Sequence, residues 1–421
     1  ATVSYVQPGV ATVQVTTAPA FVSGNPQAIY AADPNDSWNQ IFRALFTRTV
    51  KVRVSDAFPE GAPFESFQVR MGSFPIRLSK EKLSRTEVGD RAIEPLYPTF
   101  FSSEGAAIVL TERYSELAAA LRLAISEMKN RAPIERALMQ ADIWAAYDII
   151  YDTELGYGED TPNRRATLLK LFQQFIRKLA LSSEELKSLK SNYLAGVSGS
   201  KLPNLFSPES GWLEIELLPD RSHDHAARFR RAARVFVKPR AKPSDPGQFV
   251  ESLKHHQHLD QVEAVALVVQ NLLIDTSGRI VPSPVFIDVQ FRFYKIDPQT
   301  GKLTAQAQQF ELSRRKLLTD PASGGFVEYS ETSPAYLVAA GNDYEFASSI
   351  GDAGAAVVVP LRTRCVQCHN ASLATIATYS IHYFPPVPTT KVLNPLDQDR
   401  ALFVARQKQE RNDFKSLSAP Q

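Results

Sequence analysis

The chain has 421 residues, 44% of them hydrophobic and 22% charged, with a formal net charge of +2. That profile excludes a disordered or collagen-like chain, and the length predicts two or three packed units. Lys and Arg are spread along the chain, so no nucleic-acid footprint is expected, and no run approaches the roughly 18 apolar residues of a membrane span.

Residues 1–110 are rich in Val, Thr, Phe and Pro. Short alternating runs such as "ATVQVTT", "TVKVRVS" and "ESFQVRM" predict an irregular, β-rich N-terminal region. Over 111–200 the period becomes helical. In "IERALMQADIWAAYDII", Leu138, Ile143, Trp144, Tyr147 and Ile150 form one stripe. In "TPNRRATLLKLFQQFIRKLAL", Thr161 is placed as N-cap and Pro162 at the first helical position, with Leu168, Leu171, Phe172, Phe175, Ile176 and Leu179 on one face. "SSEEL" then spells a capping box from Ser182 to Glu185 that opens a further short helix.

Residues 201–320 return to strands. "WLEIELL", "ARVFVKP", "AVALVVQNLLID" and "SPVFIDVQFRFYKID" are punctuated by the turn signals "DTSGR" and "DPQTGK", which predict consecutive hairpins in an antiparallel β region. From Val285 to Phe293 the odd positions are apolar, whereas Asp288, Gln290 and Arg292 alternate with them. One buried and one wetter sheet face is the expectation. Residues 321–421 are irregular until Asn394 and Pro395, which open a predicted C-terminal helix through "LDQDRALFVARQKQERNDF". The fold class expected is α+β, in four successive regions.

The chemistry concentrates in "TRCVQCHN", which holds the only two cysteines of the chain. Cys365, Cys368 and His369 spell C-x-x-C-H, the signature of c-type haem attachment. Two thiols at this spacing reach the two vinyl groups on one porphyrin edge, and the adjacent imidazole takes the iron as proximal ligand. A thioredoxin-type disulfide would want a βαβ pattern around the pair, and a zinc site would need a fourth ligand from a remote His.

In these five residues the chain resembles the cytochromes c. The resemblance implies one covalently attached haem c and a periplasmic, extracellular or outer-surface location in a bacterium. A start at "ATVSYVQPG" without an initiator Met fits a processed secreted chain. Only 52 residues follow His369 and none is Met; the three methionines, Met71, Met128 and Met139, lie in the first third. A class I cytochrome c domain, with its Met ligand beyond the motif, is therefore not expected. The late single motif is instead similar to uncharacterised secreted bacterial monohaem proteins, and 321–421 becomes the haem-binding segment.

The second axial ligand falls to the other histidines. His382 lies 13 residues past His369 among Tyr379, Tyr383 and Phe384, and His225 is the alternative, in "SHDH" with His223. "HHQH", with His255, His256 and His258, could join them in a second copper or zinc site. Two protein ligands would close the iron and leave electron transfer; an open sixth position would admit peroxide or another small oxidant, making the chain a haem enzyme. A surface structural or binding protein carrying haem is the third reading. The basic run containing Arg221, Arg228, Arg230, Arg231, Arg234, Lys238, Arg240 and Lys242 offers a docking patch for an acidic redox partner, multihaem or membrane-bound.

Overall fold

The computed structural model describes residues 2–5, 12–14, 29–46, 48–52, 68–71, 74–78, 89–93, 109–128, 131–152, 161–199, 202–215, 231–254, 259–296, 298–300, 303–329, 334–338 and 356–360. Helix and antiparallel sheet are both substantial, so the fold is α+β. The chain divides into two compact units, one of Ala1–Glu127, Ile149–Leu171 and Tyr329–Cys368, the other of Met128–Asp148, Phe172–Glu328 and His369–Gln421.

In the first unit, β1 (Thr2–Tyr5), β2 (Thr12–Gln14), β4 (Gln68–Met71) and β5 (Phe74–Leu78) form a sheet in the order β2-β1-β5-β4. Two separate hairpin ladders pair β3 (Arg48–Val52) with β6 (Gly89–Ile93) and β13 (Pro334–Val338) with β14 (Ala356–Pro360), both antiparallel. Among these strands stands a helix that the alternating runs do not announce, α1 (Ser37–Phe46). Its cause is local: Trp38, Ile41, Phe42 and Leu45 repeat at helical spacing and are all buried, while Asp36 Oδ1 accepts from Trp38 N at 2.9 Å at the N-terminus. Tyr30 packs edge-on against Trp38 and Phe42. Arg43 of α1 pairs with Glu116 of α2 (Tyr114–Ser126) at 3.1 Å.

The two long helices, α3 (Pro133–Asp152) and α4 (Thr161–Leu179), carry the expected stripes, and every stripe residue named above is buried. Thr161 is itself the first residue of α4. The capping box forms as the spelling requires: Ser182 Oγ accepts from Glu185 N at 3.2 Å and Glu185 Oε2 accepts from Ser182 N at 2.9 Å, opening α5 (Ser183–Ser188).

The second unit is built on a six-stranded meander in the order β12-β11-β10-β9-β8-β7, comprising β7 (Leu213–Ile215), β8 (Arg231–Pro239), β9 (Val262–Ile274), β10 (Ile280–Ile296), β11 (Leu303–Leu312) and β12 (Phe326–Tyr329). The ladders from β7 through β11 are antiparallel. "DTSGR" is the β9–β10 turn: Asp275 Oδ1 accepts from Ser277 N and Arg279 N, and Gly278 takes the positive φ of 77° that favours glycine. One sheet face buries Trp212, Phe236, Ala266, Val268, Val289, Phe291 and Phe310 under Tyr193 of α6 (Asn192–Gly199) and under Leu205 and Phe206. On the other face, Phe249, Val250 and Leu253 of α7 (Pro246–Lys254) cover Val237, Val265 and Tyr294.

Two details depart from simple alternation. The β9–β10 register shifts on either side of Phe286, so Phe286 joins Val289 and Phe291 in the aromatic core although its neighbours in the odd series set the pattern. The face expected to be wetter is also dry: Asp288, Gln290 and Arg292 of β10 and Gln309 and Glu311 of β11 are all buried. Sheets covered on both faces lose the solvent that a polar row would otherwise meet.

The Ser182 and Arg136 contacts of Glu185 yield a pH-dependent expectation. The Ser182 N–H, reinforced by the Arg136 guanidinium and the Ser182 hydroxyl, holds the Glu185 carboxyl below the usual range against the opposing effect of burial. A depressed folded pKa gives stability that is present above the unfolded value and lost as pH falls through the folded value. Glu185→Gln is expected to lower stability in urea titrations at pH 7, with the gap to the wild-type chain closing in strong acid. A gap that is constant with pH would refute this role.

Candidate functional site

Cys365, Cys368, His369 and His382 lie outside the described residues, as do His223, His225, His255, His256, His258 and the predicted helix after Asn394. What the structure fixes is the frame around them. β14 ends at Pro360, shortly before Cys365. His223 and His225 fall between the end of β7 at Ile215 and the start of β8 at Arg231. The "HHQH" segment joins the end of α7 at Lys254 to a 3-10 turn at Leu259–Gln261. The first connection therefore leads into the start of β8, whereas the second leads into the start of β9, whose Val262 pairs with Pro239 at the end of β8. Among the described residues, no group of three or more His, Cys, Asp or Glu side chains could hold a metal ion, and no helix is long and apolar enough to cross a membrane.

The basic run is largely committed inside the fold. Arg234 lies in the core, where its Nε and Nη2 donate to Glu214 Oε1 and Oε2, each at 2.9 Å. Its guanidinium carbon also sits 4.9 Å from the Phe206 ring centroid. Lys238 pairs with Glu263 at 2.9 Å. Arg240 donates to the Asp260 and Tyr294 carbonyls, both at 2.8 Å, which fastens the approach to α7 onto β10. Among the members of the run whose side chains are described, Arg240 and Lys242 are exposed. Strand alternation decides this division: Arg234 and Phe236 share the aromatic face, so the run is not one continuous charged surface.

A second buried pair ties one helix to another, just past the end of β11. Arg314, at the start of α8 (Arg314–Thr319), gives Nε to Asp142 Oδ2 at 2.8 Å and Nη2 to Asp142 Oδ1 at 2.5 Å. Both arginines thus use the side-on fork that suits a carboxylate. The polar row lies on the sheet face opposite the aromatic core. Asp288 Oδ2 accepts from Gln290 Nε2 at 2.7 Å, and Gln309 Nε2 donates to both Asp288 Oδ1 and Glu311 Oε1 at 3.1 Å. Period-two polarity in "IDVQFRF" was the sequence signal for this row; its dryness had none.

No protein-family model, no curated protein and no solved structure matches the chain.

Removing one partner of a buried pair leaves an uncompensated charge, at about 3–5 kcal/mol. Glu214→Gln is expected to cost that much in urea unfolding, because Arg234 would face Phe206 and Phe236 without its carboxylate. The double variant Glu214→Leu with Arg234→Met is expected to recover to within about 1 kcal/mol of the wild-type chain. A harmless Glu214→Gln would show that the pair carries no such coupling.

Proposed function

We propose that the chain is a secreted monohaem c-type cytochrome that transfers electrons as one component of a larger redox assembly. The observation that carries this reading is the C-x-x-C-H spelling at 365–369, which uses both cysteines of the chain. The donor set fits one haem c: Cys365 and Cys368 hold the porphyrin edge through thioethers and His369 ligates the iron. Covalent attachment retains the cofactor in a dilute exterior, which supports a periplasmic, extracellular or outer-surface location. When bound, the haem supplies a one-electron couple.

His382, or His225 in its place, is the proposed distal ligand. Two imidazoles close the iron to small molecules and set a lower potential than a Met/His pair. A chain of 421 residues is far larger than one haem requires. The surplus surface supports docking to a redox partner, multihaem or membrane-bound.

The expected result is one haem per chain by pyridine haemochrome, lost when Cys365 and Cys368 are both replaced by Ala. The reduced spectrum should not respond to carbon monoxide in the wild-type protein. Replacing His382 and His225 separately by Ala should convert the iron to high spin in the variant that lost the distal ligand. A colourless protein with the mass of the bare polypeptide would sink the reading, whereas carbon monoxide binding together with peroxide turnover would replace electron transfer by haem catalysis.

A further inference from the structure

We propose that Arg292, with Tyr294 beside it, binds a small oxyanion of the carboxylate or phosphate class on the polar face of the six-stranded sheet. A contrast among the buried arginines points there. Three arginines are buried among the described residues, Arg234, Arg292 and Arg314. Two of them present the Nε–Nη2 edge of the guanidinium to a carboxylate, Glu214 in one case and Asp142 in the other.

Arg292 differs. Its Nη1 donates to the Phe291 carbonyl at 2.8 Å, which leaves the Nε–Nη2 edge directed elsewhere. Its Nε is buried and has no acceptor. Among the described residues, no carboxylate lies within ion-pair distance of it. On its own strand face Asp288 is four residues away, and Gln290, between them, directs its amide to Asp288.

Tyr294 supplies the second observation. It is the next residue on the same face of β10, it is 2% exposed, and its hydroxyl has no hydrogen-bond partner. Burial pushes that hydroxyl above the usual tyrosine range, with the Arg292 charge pulling the other way, so it remains an O–H donor. Residues two apart on a strand point to the same face, so an oxyanion on the guanidinium edge shares that face with the hydroxyl. A buried guanidinium without a counter-charge is costly, and an anion held by Nε–H, Nη2–H and the tyrosine O–H removes that cost. The site stands independently of the haem reading.

Ligands that bind only the folded state raise its melting temperature by linkage. The test is thermal unfolding of the full chain in rising sodium acetate and, as a second arm, inorganic phosphate, each against sodium chloride at equal ionic strength. The wild-type protein is expected to gain stability with one oxyanion beyond chloride, and the two arms identify which class fits. Arg292→Met should remain folded, since an apolar replacement of an unpaired buried cation is neutral to stabilising, and should lose the oxyanion response. Tyr294→Phe, which deletes only the hydroxyl, should weaken the apparent affinity about tenfold. Identical curves for oxyanion and chloride would overturn the site and leave an internal water at Arg292, as would a response undiminished in both variants.

Discussion

A sheet covered on both faces has little solvent left for the charges its strands carry, so a buried charge there calls for a partner. Arg234 meets this requirement on the aromatic face by taking Glu214 from the neighbouring strand. Arg314 meets it where the chain leaves β11, by taking Asp142 from a helix more than a hundred residues earlier. These pairs add less net stability than their Coulomb attraction suggests, because each ion loses its hydration. Their larger effect is geometric: a two-point fork fixes which residue of α3 faces the start of α8.

The same constraint acts on the backbone. A strand that outruns its neighbour exposes N–H and C=O groups that must be satisfied when buried. Ile274 lies beyond Asn271, the last β9 residue in register with β8. There Gln140 of α3 substitutes for a strand, donating to the Ile274 carbonyl at 2.9 Å and accepting from its N–H at 2.8 Å. Phe286 lies before Asp288, where the β11 register begins. Asn192 of α6 does the equivalent for it, at 2.8 and 2.7 Å, and also donates to the Gly324 carbonyl. Gly324 adopts a positive φ of 70°, and a Cβ there would collide with the Asn192 carbonyl and the Gly196 nitrogen. Two primary amides thus complete the ladder and set the helices against the sheet at once.

The second unit carries two histidine-bearing connections, one before β8 and one between α7 and β9. On the proposed haem reading, the cofactor would be fastened covalently through Cys365 and Cys368. Attachment of that kind would retain the haem without a closed pocket, leaving the second unit to position surfaces. Its basic run contributes less to those surfaces than its composition suggests, because Arg234, Lys238 and Arg240 hold the sheet and α7 together.

Short-range physics made much of the fold legible in the sequence. The apolar stripes of α3 and α4, the Ser182 capping box and the "DTSGR" hairpin are each decided within a few residues, by side-chain spacing, a reciprocal cap and a glycine at positive φ. The C-x-x-C-H spelling is legible for the same reason, since the haem attachment proposed for it would need only five consecutive residues. Tertiary structure alone decided that the Asp288 row is dry, that Arg234 points inward, and that Gln140 and Asn192 finish β9 and β10. Those outcomes depend on which elements cover each face, and residues 20 to 134 positions apart cannot declare their pairing through local periodicity.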